Sequence, residues 1–304
     1  MYHNPYKTRE GGATVSVFVP YNCNNNCPFC INKQEYEDMT GFSAEAICES
    51  IAVMDGITPR CDFVFTGGEP MANLESLQTM LDCVPETHRI FINTTLPLTH
   101  SYDEDQVVDF LNGNKSKITC VNVSRHLFPY VEESNDHIFT RLEVPARINC
   151  VLVGGHDTGK LLHFVRRFSD GLSLPVQFRM DYTKTTPENL YDESDDAILR
   201  DLDSIFEFVS LAGCRIRCNY EFLYNGRQVS YHKTLPYSTI TETGADGEVY
   251  DVLYDIIVKQ TGEIRSDWDK EIKLDLDAYK QAVFEPSDMH LMNRPKPRRR
   301  TRKK

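Results

Sequence analysis

The sequence predicts an α/β protein built on a partial (βα)6 TIM-like barrel, with a small C-terminal β-rich appendage and a disordered basic tail. Three observations predict it. Six apolar strand patterns alternate with helical patterns before about residue 213. Those strands read as apolar on both faces, which marks a parallel sheet covered by helices. Hairpin turn signals then replace the alternation. A full eight-fold barrel takes roughly 250 residues, so six units make a partial one.

The elements follow in order. Thr14 to Pro20 (TVSVFVP) reads as the first strand, and Ser43 to Met54 as a helix with Ser43 as its N-cap. Asp62 to Thr66 is the second strand, followed by a helix from Leu74 to Cys83. Arg89 to Asn93 is the third, and its helix, Asp103 to Leu111, opens with acids that suit the helix dipole. Ile118 to Val123 is the fourth strand. Ala146 to Val153 is the fifth, with a helix from Thr158 to Phe168. Pro175 to Met180 is the sixth, with a long helix from Asp196 to Ala212. Beyond it, Ile216 to Tyr224 and Gln228 to His232 flank Asn225-Gly226, a strong hairpin signal. Val249 to Lys259 and Glu263 to Asp267 flank Thr261-Gly262 in the same way, and a short helix near Asp277 to Phe284 precedes the tail. The expected division is a core over 1–213, an appendage over 214–290 and a tail over 291–304.

Of the 304 residues, 40% are hydrophobic, enough for one sizeable core. No apolar run approaches the roughly 18 residues a membrane helix needs, and the first residues lack the apolar stretch of a signal peptide. The expectation is a soluble, cytoplasmic protein with no membrane contact. The formal net charge is -12, from 33 Lys and Arg against 45 Asp and Glu. Eight of those 33 lie between Arg294 and Lys304, which leaves 25 basic against 45 acidic side chains in residues 1–293. An acidic body does not suit a broad nucleic-acid surface, whereas the basic tail leaves weak nucleic-acid contact open beside a purely solubilising role. There are ten cysteines, expected to be reduced. Cys48, Cys61, Cys83, Cys120 and Cys150 are scattered and read as small core residues.

The other reading of cysteine begins after the first strand. Tyr21-Asn22-Cys23-Asn24-Asn25-Asn26-Cys27-Pro28-Phe29-Cys30 has the spacing C-x3-C-x2-C. Three thiolates this close grip three corners of a cubane cluster and leave the fourth iron open to a small molecule. Zinc competes, but a structural zinc site closes with four ligands, and the nearest histidine, His3, lies well upstream. A disulfide pair with one spare thiol also fits the spacing. At the end of the second strand stands Thr66-Gly67-Gly68-Glu69-Pro70. Two glycines let the backbone approach a ligand, and Glu69 offers a carboxylate suited to an ammonium. The plainer reading is a tight strand–helix turn with Pro70 opening the next helix.

Together the two motifs resemble the radical S-adenosylmethionine (SAM) superfamily, over roughly residues 12–182. The resemblance implies that Cys23, Cys27 and Cys30 bind a 4Fe–4S cluster. It implies that Gly67, Gly68 and Glu69 hold the methionyl amine of SAM, and that Phe29 lies by the adenine. Val121-Asn122-Val123-Ser124 and Arg147-Ile148-Asn149 resemble the fourth and fifth strands, whose Ser124 and Asn149 would meet SAM. Val176-Gln177-Phe178-Arg179-Met180 resembles the sixth strand of the molybdenum-cofactor cyclisation enzyme branch, where Arg179 would face the active site. The chain departs from the pattern at Ile92-Asn93-Thr94-Thr95, where many relatives have Thr-Asn-Gly, and at Arg125-His126, where Leu-Asp is frequent. Arg125 and His126 are therefore candidates to hold a polar substrate or move a proton. Cys214 and Cys218 cannot complete a second cluster, so one cluster is expected.

The resemblance implies reductive cleavage of SAM to a 5′-deoxyadenosyl radical that takes hydrogen from a substrate. A nucleotide or small metabolite is preferred as that substrate, with an external one-electron reductant such as flavodoxin or ferredoxin. Tyr220, Tyr224, Tyr231 and His232 are candidate lining residues from the appendage. The rival is a non-catalytic zinc or Fe–S protein whose basic tail contacts nucleic acid.

Overall fold

The computed structural model describes residues 4–9, 11–19, 23, 25, 27–30, 41–96, 102–128, 133, 136–268 and 272–294. The fold is mixed α/β and divides into two compact units. The first comprises Met1–Ser124, Tyr130–Ala146 and Tyr237–Asp288; the second comprises Arg125–Pro129, Arg147–Pro236 and Met289–Lys304. The expected basic tail from 295 onward lies outside the described residues.

The first unit opens with β1 (Tyr6–Thr8) and β2 (Ala13–Val19), then α1 (Ala44–Ile57), β3 (Cys61–Gly67), α2 (Leu74–Asp82), β4 (Arg89–Thr94), α3 (Glu104–Gly113) and β5 (Ile118–Ser124). Strands β2, β3, β4 and β5 lie side by side, all parallel. Their register is set by inward apolar residues: Val15, Val17, Phe63, Phe65, Ile90, Ile92 and Val121 are all buried. The helices start where capping chemistry starts them. The Ser43 side chain accepts from the Ala46 amide at the head of α1, and Asp103 forms a reciprocal capping box with Gln106 at the head of α3.

The second unit contains β6 (Ala146–Leu152), α4 (Thr158–Leu172), β7 (Val176–Met180), α5 (Ala197–Ile205), β8 (Glu207–Gly213), β9 (Arg217–Tyr224) and β10 (Arg227–Thr234). β7 is parallel to β6 and to β10, while β10, β9 and β8 run antiparallel in that order. The Asn225-Gly226 hairpin forms as expected, with φ of 50° and 75° at its two turn residues.

The chain then returns to the first unit with β11 (Thr239–Thr243), β12 (Val249–Leu253), β13 (Ile256–Val258), β14 (Ile264–Arg265), α6 (Leu276–Tyr279) and β15 (Val283–Phe284). A four-stranded sheet has the order β11-β12-β1-β15, while β13 pairs parallel with β2. Last comes β16 (His290–Met292), paired antiparallel with β8 in the second unit.

Four expectations need correction. The long helix expected over 196–212 stops at Ile205, because Glu207 to Gly213 pairs antiparallel with β9. The strand expected from Val249 to Lys259 breaks at Tyr254-Asp255, where β12 serves one sheet and β13 another. The appendage is divided between the units, and residues up to Arg294 are ordered: Arg294 donates to Glu193 at 3.0 Å and pairs with Asp203. Cys48 and Cys83 are not separate reduced core residues but form a disulfide joining α1 to the end of α2. No helix among the described residues is long and apolar enough to cross a membrane.

Candidate functional site

In the first unit the chemistry gathers at the C-terminal ends of β2, β3 and β4. Gly67 ends β3 at φ 120°, and a Cβ there would stand 3.0 Å from the backbone N and O of Val19. Only glycine permits that approach, which lays the Gly67-Gly68-Glu69 turn against the last residue of β2. Glu69 is buried, and its carboxylate is saturated. Oε1 accepts from the Met71 amide at 3.0 Å and from the Thr94 hydroxyl; Oε2 accepts from the Thr95 amide at 2.8 Å and its hydroxyl at 2.7 Å. Burial pushes the Glu69 pKa above the ordinary carboxylate value, and the hydrogen bonds from Thr94, Thr95 and Met71 oppose that shift.

The cysteine loop is tied to this carboxylate. Asn25, between Cys23 and Cys27, donates through Nδ2 to the Thr95 hydroxyl at 3.4 Å. Cys23, Cys27 and Cys30 are half-buried free thiols. The Cys30 amide donates to the Cys27 carbonyl at 3.1 Å, closing a turn over Pro28 and the half-buried Phe29. Tyr21, Asn22, Asn24 and Asn26 lie outside the described residues. The donor set fits an iron–sulfur cluster by its chemistry: three cysteines in eight residues, none of them in a disulfide, on a loop tied to the buried Glu69 carboxylate. Among the described residues no three of His, Cys, Asp or Glu are already gathered tightly enough to hold a metal ion.

Other sequence candidates occupy different places. Ser124 is half-buried at the end of β5. In the second unit Arg125 is fully buried and His126 nearly so, and the Arg125 amide donates to the Asn149 carbonyl at 2.9 Å. The Asn149 Oδ1 is buried with no hydrogen-bond partner among the described residues. Arg179 is exposed on β7. Of the candidate lining residues, Tyr220 and Tyr231 are fully buried and stack at 6.1 Å between centroids, so they pack the core instead. The Tyr224 hydroxyl binds Arg166 at 3.0 Å. Cys214 and Cys218 are buried, and burial pushes the Cys218 thiol up to about 12, which leaves it inert.

Sequence reasoning missed Thr94 and Thr95 as partners of Glu69, and Asn25 as the link between loop and carboxylate. It also missed the polar face of the second unit's sheet. Alternation was the available signal, in Arg147-x-Asn149, Gln177-x-Arg179, Arg217-x-Asn219-x-Glu221 and Ser230-x-His232. The opposite face, with Ile148, Phe178, Tyr231, Tyr220 and Phe222, is buried, so these strands are not apolar on both sides.

Comparison with known proteins agrees with the cysteine loop. Residues 10–112, about a third of the chain, match the family described as "4Fe-4S single cluster domain". No curated protein matches the sequence. Among solved structures, SuiB of Streptococcus suis aligns with 88% of this chain and 65% of its own, at 12% identity and a TM-score of 0.53, which shows a shared fold. SuiB bound to its precursor peptide SuiA aligns with 63% of this chain and 45% of its own, at 16% identity and a TM-score of 0.45. The structure described as native anSMEcpe with bound AdoMet and Cp18Cys peptide aligns with 63% of this chain and 54% of its own, at 18% identity and a TM-score of 0.41. This chain thus spans between about half and two thirds of those chains' lengths. The three-cysteine loop thus lies inside the matched 4Fe–4S single cluster domain, and the chain shares its fold with SuiB.

Proposed function

We propose that this chain is a radical SAM enzyme whose 4Fe–4S cluster is held by Cys23, Cys27 and Cys30. The observation that carries the reading is a loop of three free thiols tethered, through Asn25 and Thr95, to the buried Glu69 carboxylate at neighbouring strand ends. When bound, the cluster supplies the electron that breaks the C5′–S bond of SAM, giving methionine and a 5′-deoxyadenosyl radical that takes hydrogen from the substrate.

The protein's own residues bind and orient. Cys23, Cys27 and Cys30 would hold the cluster through three thiolates, so that the amino-acid end of SAM could bind beside it. Glu69 faces the ammonium: its Thr94 and Thr95 hydroxyls can rotate to other acceptors, which frees lone pairs without moving the backbone. Gly67 and Gly68 keep the turn open to that group, and Phe29 lies by the adenine. Ser124 contacts the SAM ribose or carboxylate; in the second unit, the orphaned Asn149 Oδ1 is a ready acceptor for a hydroxyl. Arg125 and His126 orient the substrate and hold its proton. The parallel run β2-β3-β4-β5 in one unit and the parallel pair β6-β7 in the other support the partial (βα)6 barrel. Flavodoxin or ferredoxin serves as the external electron donor. The substrate is a nucleotide or other small metabolite.

Anaerobic reconstitution tests this reading. Brown protein with about four irons per chain is expected. With dithionite and SAM it should release 5′-deoxyadenosine, and Cys23→Ala, Cys27→Ala and Cys30→Ala should each lose both properties. Colourless protein holding one zinc per chain would instead establish a non-catalytic metal protein.

A further inference from the structure

The Glu69 carboxylate is full. A carboxylate has about four lone-pair sites, and four donors occupy them. The Met71 amide and the Thr94 hydroxyl take Oε1, while the Thr95 amide and the Thr95 hydroxyl take Oε2. An ammonium that reaches Glu69 must therefore displace one of the four. The amides are fixed by the backbone, whereas a hydroxyl rotates. A hydroxyl turned away without a new acceptor would cancel much of what the ammonium gains.

Of the two hydroxyls, that of Thr95 is the better placed to yield. Thr94 is buried, and its oxygen takes the Leu96 amide at 2.8 Å, which holds it in place. Thr95 is half-buried, and its hydroxyl meets the Asn25 carboxamide at 3.4 Å. While the Thr95 hydroxyl donates to Glu69 at 2.7 Å, only the Nδ2 end of Asn25 can face it. That contact is long for a hydrogen bond, so little is lost when it breaks. Once the Thr95 proton leaves Glu69, a turn of the carboxamide about its last torsion presents Oδ1 instead. An O–H donor then makes a shorter bond than the N–H donor did. Asn25 makes no other side-chain hydrogen bond among the described residues, so no other bond opposes the turn.

We propose that Asn25 is a positioning residue that reverses its hydrogen bond with Thr95 when an ammonium occupies Glu69. The ammonium takes a lone pair of Oε2, the Thr95 hydroxyl turns to the Asn25 Oδ1, and every donor keeps an acceptor. Only hydrogen bonds change. Asn25 lies between Cys23 and Cys27, so the occupancy of Glu69 is felt inside the cysteine loop. The inference rests on the reading that Glu69 receives the ammonium of SAM, and adds the residue that makes room for it.

The test is calorimetry on the full chain with S-adenosylhomocysteine as the probe, which carries the same amine and is not cleaved. High ionic strength screens any charge a variant adds, and iron content is recorded separately. Asn25→Ala offers no acceptor and should bind the probe about fivefold more weakly. Asn25→Asp can accept but not donate, and should bind at least as tightly as the unmodified protein. 5′-Methylthioadenosine lacks the amino-acid end and should not distinguish the three proteins. Asn25→Asp as weak as Asn25→Ala would make Asn25 a fixed tether that only donates, and overturns the proposal. So does full-strength binding by Asn25→Ala, or an equal loss for 5′-methylthioadenosine, which marks a general disturbance of the loop. If the unmodified protein does not bind S-adenosylhomocysteine, the reading of Glu69 falls and takes the proposal with it. Failure of iron incorporation leaves each of these readouts intact.

Discussion

The Glu69 carboxylate takes two backbone amides and two hydroxyls, and three of those four donors come from Thr94, the last residue of β4, and Thr95 just after it. The Gly-Gly-Glu-Pro turn made Glu69 legible in the sequence. Its partners were not, because they depend on which residue of β4 falls beside the end of β3, and apolar alternation leaves that register free. His232 was legible only as a lining candidate. Its environment comes from Arg179 and Gln177 on β7, Arg147 on β6, and Arg217 and Asn219 on β9, distant positions that pairing brings together. That environment has a consequence for stability. The unfolded chain protonates His232 near its ordinary value of 6.5, whereas the folded protein holds it neutral to well below that value. Below about pH 6.5 the unfolded state therefore binds a proton the folded state refuses, and stability falls until pH passes the folded value. Urea unfolding of the unmodified protein at about pH 7.5, 6.5 and 5.5 should show this loss, and His232→Asn should show a shallower one. Parallel pH profiles for the two proteins would refute it.

Element boundaries followed local chemistry wherever local chemistry decided them. Ser43 and Asp103 cap α1 and α3 at the expected residues, and Asn225-Gly226 turns the β9–β10 hairpin. The segment after Ile205 was misread because Phe208, Val209 and Leu211 continue an apolar pattern that a helix also satisfies; pairing with β9 decides for strand. The Cys48–Cys83 bond was invisible for a similar reason: 35 residues separate the two, and only the packing of α1 beside α2 brings their Cα atoms to 5.6 Å. A bridge closing such a loop restricts the unfolded chain and stabilises by about 2–4 kcal/mol. The Cys48→Ser/Cys83→Ser double variant should lose that amount in urea unfolding, and dithiothreitol should bring the unmodified protein down to the same midpoint. If reductant leaves the midpoint where it was, the two helices are not covalently joined in solution.

At the scale of the whole molecule, each unit is closed by chain that arrives late in sequence. In the first unit β13 pairs with β2, and β12 and β15 enclose β1. In the second unit β16 covers the edge of β8, and Arg294 then binds Glu193 and Asp203 and lies over the Phe208 ring at 4.7 Å. Sequence reading placed this stretch in a basic tail because Arg294 is the first of eight basic residues; its counter-charges lie about 90 to 100 positions earlier. An uncovered β8 would present unpaired amides and carbonyls along a strand carrying the exposed Val209, which is a template for aggregation. Two truncations separate the two views of the C-terminus. A chain ending at Arg294 keeps every described contact and should melt within about a degree of the full-length protein. A chain ending at Asp288 loses the β16 pairing and the Arg294 ion pairs, and should melt several degrees lower and self-associate on heating. Equal melting temperatures for the two would mean that the last described strand adds nothing to the second unit, and that its register with Leu211 and Gly213 is incidental.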